Sequence, residues 1–251
     1  MYWQFGIMLC IHKKVGLMQP SMDNIKQSPN GWPSPARVSS RWRFSGFLLQ
    51  RVNVKRRFYY GLKRLIDLGA AGVGLLGLLV ISPLIWLVNL LTSPGDLFYV
   101  QDRVGQGNRI FRMVKFRSMI MDAEADTGPV WAQENDTRIT PIGHFLRKTR
   151  LDEMPQFWNV LKGEMSLVGP RPERPEFVTS LAEEIPEFQS RHVVKPGITG
   201  WAQVNHRYVA SVDDTLIKLR YDLYYIEHQG GRLDTEIVSK TVRVVLAMQG
   251  W

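Results

Sequence analysis

An uncharged apolar stretch at residues 68–91, LGAAGVGLLGLLVISPLIWLVNLL, constrains this chain more than any other feature. Because about 20 apolar residues suffice to cross the hydrocarbon core of a bilayer, the stretch predicts a membrane segment. Ser82 and Pro83 interrupt it, and a proline inside a helix removes a backbone hydrogen bond and crowds the preceding turn, so we expect a kink or break there. A kinked spanning helix and a re-entrant hairpin both remain open.

The charges ahead of this stretch indicate its orientation. Between Asp23 and Asp67 the chain has basic residues but no acidic one, and the cluster at 55–64 should hold that end on the cytoplasmic side and attract anionic lipid headgroups. Asp67 would be costly deep in lipid, and a re-entrant path would keep it near the interface. From residue 68 onward the net charge is close to zero, although the whole chain carries +9. This distribution argues against a nucleic-acid partner.

The remaining composition excludes several kinds of site. With 251 residues and 45% apolar content the chain can bury a core, while its single cysteine excludes an internal disulfide framework and a cysteine-rich zinc site. The five histidines show no HExxH spacing. Gly72, Gly74 and Gly77 match a dinucleotide-binding GxGxxG pattern, but they lie inside the apolar stretch, where small residues for helix packing explain them better.

Residues 94–251 read as a small mixed domain. The segment DLFYVQDRVGQGNRIFRMVKFRSM predicts a β-hairpin that turns at residues 105–108. Its second strand carries Arg112, Lys115 and Arg117, which we interpret as a basic face, either a solvated strand edge or an anion site. Helical spacing also recurs downstream, and amphipathic helices of this kind pack against a core or lie on a membrane; the segments are 141–151, 215–228 and 234–248.

Two adjacent carboxylates, Asp152 and Glu153, stand just before Pro155 and a predicted helix that runs to Gly163. The positive end of that helix should favour their ionised form. Arginines nearby in sequence would suit a phosphate-bearing ligand; they are Arg147, Arg150 and Arg171. Two interpretations stay open on this pattern alone: helix caps paired with surface arginines, or carboxylates that act in phosphoryl chemistry.

From about Arg56 to its end, the chain resembles the small monotopic phosphoglycosyl transferases. These bacterial sugar transferases load a sugar phosphate onto a polyprenyl phosphate carrier. The resemblance rests on five ordered features: the apolar segment with Ser82 and Pro83, KFRSM at 115–119, LRKTRLDEMPQ at 146–156, NVLKGEMSLVGPRP at 159–172 and KPGITGWAQV at 195–204.

The resemblance implies a mixed α/β, mainly helical fold at the bacterial inner membrane. It comprises a re-entrant membrane helix broken at Ser82 and Pro83 with both ends in the cytoplasm, amphipathic interfacial helices, and a small cytoplasmic domain with the hairpin. We accordingly expect a basic, disordered N-terminal segment at 1–55, a re-entrant anchor at 56–93 and a catalytic domain at 94–251.

The resemblance also implies the reaction. Asp152 would attack the sugar-bearing phosphate of a UDP-sugar, release UMP and form an aspartyl phosphosugar, which undecaprenyl phosphate then resolves in a ping-pong cycle. Glu153 would assist as base or metal ligand, with Mg²⁺ held by both carboxylates. The residues matching family positions around the phosphates are Arg147, Arg171, Arg207 and Lys115. His206 departs from the family's Asn-Gly-Arg pattern, and Asp222 falls near a family acidic position.

Other functions remain open at this stage. A sugar-adding glycosyltransferase would release UDP instead of UMP, and a catalytically idle membrane adaptor of polysaccharide assembly would release neither. A plain transmembrane helix joined to an interaction domain is a further alternative. The sequence names no sugar, and it does not decide between self-association and other assembly partners.

Overall fold

The computed structural model describes residues 54–125, 128, 130, 136–206 and 212–248, with side chains from residue 57 onward and, in the last range, from residue 214. The predictions made for Arg207 and for residues 1–53 therefore lie outside the described residues. All statements of structure below refer to the described ranges.

The apolar stretch forms part of one long helix, α1 (Val54–Thr92), of 39 residues. At 1.5 Å per residue it is roughly 58 Å long, and it is the one helix among the described residues that is long and apolar enough to cross a membrane. Its helical backbone continues through Pro83, and the Ser82 hydroxyl donates to the Leu78 carbonyl (2.6 Å). The re-entrant path stays a prediction.

One face of α1 packs against the rest of the chain. A Cβ on Gly74 would lie only 2.2 Å from the Phe157 ring, so a larger residue there would push the two elements apart. Gly77 faces Met154 in the same way. The expectation that small residues here serve helix packing is confirmed for Gly74 and Gly77, whereas Gly72 is exposed and faces open space. The opposite face of α1 exposes large apolar side chains, among them Val73, Leu76, Val80 and Leu91.

The first half of α1 is also tied to the domain by polar contacts. Asp67 is 3% exposed and accepts hydrogen bonds from the Ser166 hydroxyl (3.1 Å) and the Leu167 amide (3.0 Å). Earlier in α1, Tyr59 (about two turns before Asp67) and Lys63 (about one turn before it) both donate to Asp234 Oδ2 at 2.8 Å. Asp67 is therefore satisfied by protein donors, and that sets the register of α1 on the domain.

The predicted hairpin is confirmed. Strand β1 (Phe98–Val104) pairs antiparallel with β2 (Ile110–Phe116) around a 3₁₀ turn at Gln106–Asn108. The basic face predicted for β2 is wrong in part: Arg112 is exposed on the strand, whereas Arg117 lies one residue past its end and is buried. Arg117 is buried and donates to the backbone carbonyls of Ser93 and Asp96, so it fixes the end of α1 to the hairpin.

The remaining described elements are mostly helical, and a second two-stranded sheet is parallel. In chain order they are α2 (Pro141–Thr149), a 3₁₀ turn (Leu151–Glu153), α3 (Gln156–Lys162), β3 (Ser166–Val168), α4 (Pro175–Glu184), a 3₁₀ helix (Pro186–Val193), β4 (Gly197–Thr199), α5 (Trp201–Asn205), α6 (Val212–His228) and α7 (Gly231–Leu246). Helix α7 begins three residues before the predicted start at 234, and the Asp234 carboxylate binds Lys63 of α1.

The motif KPGITGWAQV forms strand β4 followed by α5. The Gly197 amide donates to the Pro170 carbonyl, and a Cβ on Gly197 would lie 2.1 Å from the Gly169 nitrogen. Only glycine lets the two backbones approach this closely. The glycines of this motif thus bring the segment after β3 beside β4.

The predicted helix before Gly163 is α3, and its burial does not follow the polarity of its side chains. Trp158 and Leu161 are 48% and 38% exposed, whereas Val160 and the polar Asn159 are fully buried. Asn159 accepts from the Val114 amide and donates to the Arg112 carbonyl, and in this way it satisfies the edge of β2. Helix α3 is consequently held between α1 and the hairpin.

The apolar core is divided among several clusters. One lies between β1, α4, the 3₁₀ helix Pro186–Val193 and α6, and includes Val178, Leu181, Phe188 and Leu219. Another joins α1, β2 and α3 through Ala71, Met113, Val160 and Met165. A further cluster contains Phe116 and Leu146 with Leu151 and Met154 packed against them, so it supports the carboxylate-bearing turn between α2 and α3.

Candidate active site

The turn that carries the paired carboxylates is defined at both ends. Helix α2 begins at Pro141, with the Thr140 hydroxyl accepting from the Gly143 amide (3.0 Å), and ends at Arg150 in the left-handed conformation (φ 60°). That reversal leads directly into the 3₁₀ turn, where Asp152 and Glu153 are 8% and 6% exposed. Neither carboxylate caps α3, whose N-cap is Pro155 without a side-chain hydrogen bond.

Glu153 is held by arginines on one carboxylate oxygen. Arg171 Nη2 donates to Glu153 Oε1 at 2.7 Å, and Arg150 Nη1 lies 3.7 Å from the same atom. Burial by itself raises the pKa of Glu153, but the charges of Arg171, Lys115 and Arg150 outweigh it and hold the pKa at about 2. Glu153 is therefore a permanent anion at neutral pH.

Asp152 has the opposite perturbation. Burial raises its pKa, the negative charge of Glu153 raises it further, and Lys115 and Arg147 offset only part of this, so the pKa is about 6. The expectation that both carboxylates favour the ionised form is therefore wrong for Asp152, where desolvation exceeds the helix-end effect. Environments that separate two neighbouring pKa values are typical of groups with different chemical roles.

The structure brings three of the four predicted phosphate-binding residues to the carboxylates. Lys115 is close enough for its charge to act on both, and burial together with Arg171 lowers the pKa of Lys115 to about 7. Arg147 donates from Nε to the Ser118 hydroxyl (2.9 Å), and its charge also acts on Asp152. Arg171 binds Glu153 directly. The fourth residue, Arg207, is not described.

A buried ionic network behind Arg171 escaped the sequence analysis. Arg191, 1% exposed at its side chain, donates from Nη2 to the Arg171 carbonyl (2.7 Å) and lies 2.6 Å from Asp222 Oδ2. Glu173 joins it, 3.7 Å from Arg191 Nη1, and also contacts Lys218. Asp222 thus supports the backbone of the site from behind, and its long separation from Arg191 in sequence left no local pattern to detect.

An open groove with a volume of about 150 Å³ begins at Glu153 and runs towards α7. Arg150 and Glu153 stand at one end, and the groove continues between side chains of α3, β4, α5 and α7, which include Phe157, Ile198, Val244 and Val245. Glu153 therefore lines one end of a largely apolar groove, and Asp152 is its neighbour in the chain.

The paired carboxylates are the candidate protein ligands for a magnesium ion. Within the described ranges, no group of three or more histidine, cysteine, aspartate or glutamate side chains could hold a metal. Mg²⁺ binds to proteins through one or two carboxylates and completes its shell with water and substrate phosphates. Asp152 and Glu153 fit an ion of that kind, one held jointly with a phosphate-bearing substrate.

Comparison with known proteins gives consistent matches. The sequence model described as "Bacterial sugar transferase" matches residues 58–248. A UDP-N-acetylgalactosamine-undecaprenyl-phosphate N-acetylgalactosaminephosphotransferase of Aeromonas hydrophila is 48% identical over 75% of this chain and 44% of its own length. A UDP-glucose:undecaprenyl-phosphate glucose-1-phosphate transferase of Xanthomonas campestris pv. campestris is 42% identical over 80% of this chain and 42% of its own. The chain therefore spans less than half of either relative.

Proposed function

The chain belongs to the bacterial sugar transferase family, and from this premise we propose that it transfers a sugar 1-phosphate from a UDP-sugar to undecaprenyl phosphate. The names of the relatives describe such transfers with N-acetylgalactosamine or glucose. The observation that carries the proposal is the buried pair in which Asp152, with a raised pKa, adjoins Glu153, which is paired to Arg171.

In the first proposed step, an Asp152 oxygen attacks the phosphorus that bears the sugar. A bond forms between that oxygen and phosphorus while the phosphoanhydride bond to UMP breaks, and UMP leaves with the bonding electron pair. Asp152 is the better nucleophile of the two carboxylates because its higher pKa makes it more basic, whereas Glu153 is held by Arg171. Lys115, Arg147 and Arg171 would balance the phosphate charge as it develops.

In the second proposed step, a phosphate oxygen of undecaprenyl phosphate attacks the same phosphorus. The bond from Asp152 to phosphorus breaks, which regenerates the carboxylate and yields undecaprenyl diphosphate carrying the sugar. Two sequential displacements replace a ternary encounter of donor, acceptor and enzyme by two binary ones. Mg²⁺, held by Asp152 and Glu153 with the phosphates, would neutralise phosphate charge when bound.

We extend the proposal to the membrane. The domain contacts α1 near its beginning, where Tyr59 and Lys63 reach Asp234, and at its end, where Arg117 reaches Ser93. Contacts at both ends support an anchor whose flanks share one face of the bilayer, and the basic residues before the apolar run favour the cytoplasmic face. The exposed apolar face of α1 would then meet lipid.

The first prediction tests the reaction directly. Membranes containing the full chain are incubated with Mg²⁺, a panel of UDP-sugars and undecaprenyl phosphate, and UMP is measured. We expect UMP release with at least one sugar, and a loss of about 10³-fold or more in Asp152→Asn, because an amide cannot form the phosphoaspartyl bond.

Asp102→Asn is the matched control, since it removes an exposed carboxylate on β1 and should leave turnover unchanged. Persistent turnover by Asp152→Asn would overturn the assignment of the nucleophile. Release of UDP in place of UMP would establish a sugar-adding glycosyltransferase, and no nucleotide release from any sugar would favour a catalytically idle adaptor.

A further inference from the structure

We infer that the groove beside Glu153 binds the isoprene unit nearest the phosphate of the polyisoprenyl phosphate acceptor. The inference rests on the proposed function and adds to it a binding site for one of the two substrates. It rests on the apolar residues that line the groove, on the hydrogen bonds already made by its threonines, and on the position of Arg150 at its end.

The walls are chemically unlike a nucleotide sugar. Six of the described lining residues have apolar side chains: Met154, Phe157, Ile198, Val204, Val244 and Val245. A nucleotide or hexose placed there would leave hydroxyl, amide and phosphate groups without partners, and each unpaired polar group costs roughly 1–3 kcal/mol. An isoprene unit has no such groups and gains free energy by leaving water.

The threonines of the groove have their hydroxyl protons engaged elsewhere. Thr241 Oγ1 donates to the Ile237 carbonyl (2.8 Å), and Thr199 Oγ1 lies 2.7 Å from Thr241 Oγ1. Because the single proton of Thr241 is already used, Thr199 is the donor in that pair. Neither hydroxyl therefore has a proton to offer a sugar, which makes this part of the lining less suited to a polar ligand.

The cations near the carboxylates form two groups, one in the groove and one outside it, and we assign each group to one substrate. Among the described lining residues Arg150 is the only cation, and it stands at the Glu153 end, where the acceptor phosphate would lie. Lys115, Arg147 and Arg171 act on the carboxylates but line no part of the groove, and they remain available for the donor diphosphate. The acceptor thus enters by the groove after the donor has reacted on the other side.

The size of the groove limits what it can hold. An apolar cavity of about 150 Å³ admits a benzene-sized molecule, so this groove has room for one isoprene unit but not for a long chain. The rest of a polyisoprenyl chain would leave past the end of α7, where Leu246 is exposed and apolar.

One atom favours a competing occupant. Gln203 donates from Nε2 to the Ile198 carbonyl, while its Oε1 is buried without a partner. A hydroxyl of the donor sugar would satisfy that oxygen. The experiments must therefore separate acceptor binding from donor binding.

The second prediction compares two substitutions on α7. Val244→Asn places an amide in the groove, and Val242→Asn makes the same change on the exposed face of the helix, outside the lining. We expect Val244→Asn to raise the KM for geranyl phosphate and for undecaprenyl phosphate by the same factor, about tenfold. UMP release from the UDP-sugar without acceptor should change less than about twofold, and Val242→Asn should leave all three quantities near wild type.

A labelling experiment tests the same site without catalysis. The full chain in detergent is irradiated with geranyl phosphate that carries a diazirine on the isoprene unit next to the phosphate, and the modified peptides are identified by mass spectrometry. We expect labels on the α7 and β4–α5 segments that line the groove, competed by undecaprenyl phosphate and reduced about tenfold in Val244→Asn.

The outcomes separate the two proposals. Labels confined to other segments overturn the groove assignment, and so does a Val244→Asn protein that keeps wild-type melting but loses UMP release without acceptor, because the donor then occupies the groove. Equal defects in Val242→Asn and Val244→Asn also overturn it, since they indicate membrane docking of α7. Labelled groove segments in a chain that releases no UMP would sustain the site and overturn the proposed function.

Discussion

Asp152 and Glu153 show how two adjacent residues of similar chemistry acquire different properties. Both side chains are buried, but Arg171 contacts only Glu153, so desolvation dominates at Asp152 and charge pairing dominates at Glu153. The result is one carboxylate basic enough to attack phosphorus and one that remains an anion beside it. Lys115 responds to the same environment in the opposite sense, because burial and Arg171 lower its pKa.

The third prediction concerns pH. A carboxylic acid is protonated below its pKa and cannot attack, so kcat/KM for the UDP-sugar should fall as pH drops through about 6, the pKa of Asp152. A lysine loses its charge above its pKa, so kcat/KM should also fall as pH rises through about 7, the pKa of Lys115. Initial rates measured from pH 5 to 9 should therefore follow a narrow bell.

Two variants test which residue causes the fall in kcat/KM at acidic pH and which causes the fall at alkaline pH. Glu153→Gln removes the negative charge that raises the pKa of Asp152, so the acidic limb should move to lower pH. The exposed Glu176→Gln should leave both limbs in place and serves as its control. Lys115→Arg keeps a positive charge across this range and should abolish the alkaline limb. A pH profile unchanged in Glu153→Gln would contradict the assignment to Asp152.

At the scale of elements, the site depends on how α1 meets β3. Asp67 on α1 accepts hydrogen bonds from Ser166 and Leu167, and β3 leads through Gly169 and Pro170 to Arg171, which holds Glu153. A polar residue near the start of the apolar run therefore positions the active-site strand. A charged carboxylate inside an apolar helix is costly in lipid, and here hydrogen-bond donors of the protein offset that cost.

The fourth prediction concerns Asp67. Asp67→Ala leaves the Leu167 amide and the Ser166 hydroxyl unpaired in a buried place, which should lower the free energy of unfolding by about 1–3 kcal/mol. Thermal melting of the full chain in detergent should show a decrease of about 2–4 °C for each kcal/mol. Asp67→Asn keeps one acceptor oxygen and should melt between alanine and wild type, and Ser166→Ala, which removes one bond, should cost less than Asp67→Ala. A wild-type melting temperature for Asp67→Ala would contradict the role given to this carboxylate.

At the scale of the whole molecule, one folded unit contacts α1 from Tyr59 to Ser93. A hydrocarbon core is about 30 Å thick, so a helix of roughly 58 Å that spanned it would place these two contacts on opposite sides of the bilayer. The domain could not keep both, and the buried Arg117 would lose the carbonyls it binds. Retention of both contacts requires the flanks of α1 to share one side.

The fifth prediction is the resulting topology. In a Cys10→Ser background, Arg57→Cys and Thr92→Cys place single thiols at exposed positions of the two flanks. A membrane-impermeant maleimide should label both in inside-out vesicles and neither in intact spheroplasts, because the proposed topology places both flanks on the cytoplasmic side. Permeabilised cells, in which both thiols should react, provide the control. Labelling of only one of the two from outside would establish a spanning helix.

Sequence patterns were sufficient wherever the determinant is local. The apolar run predicted α1, alternation around 105–108 predicted the hairpin, and helical spacing predicted α2, α6 and most of α7. These patterns failed where strand pairing or burial depends on segments far apart in the sequence. Strands β3 and β4 pair Ser166 with Gly197 in a parallel sheet, Asn159 is buried because it satisfies β2, and Arg117 is buried because it binds the end of α1. A partner far along the chain leaves no local periodicity to read.

The candidate site divides in the same way. Residue identity and spacing by themselves predicted the candidate groups, since the carboxylate pair, Lys115, Arg147 and Arg171 stand in the motifs that carry the family resemblance. Only the tertiary structure decided their states: which carboxylate Arg171 binds, that Asp152 has the raised pKa, and that an apolar groove opens beside them. The physical reason is that a motif lists chemical groups, whereas pKa values and binding surfaces depend on burial and on the distances between charges, which exist only after folding.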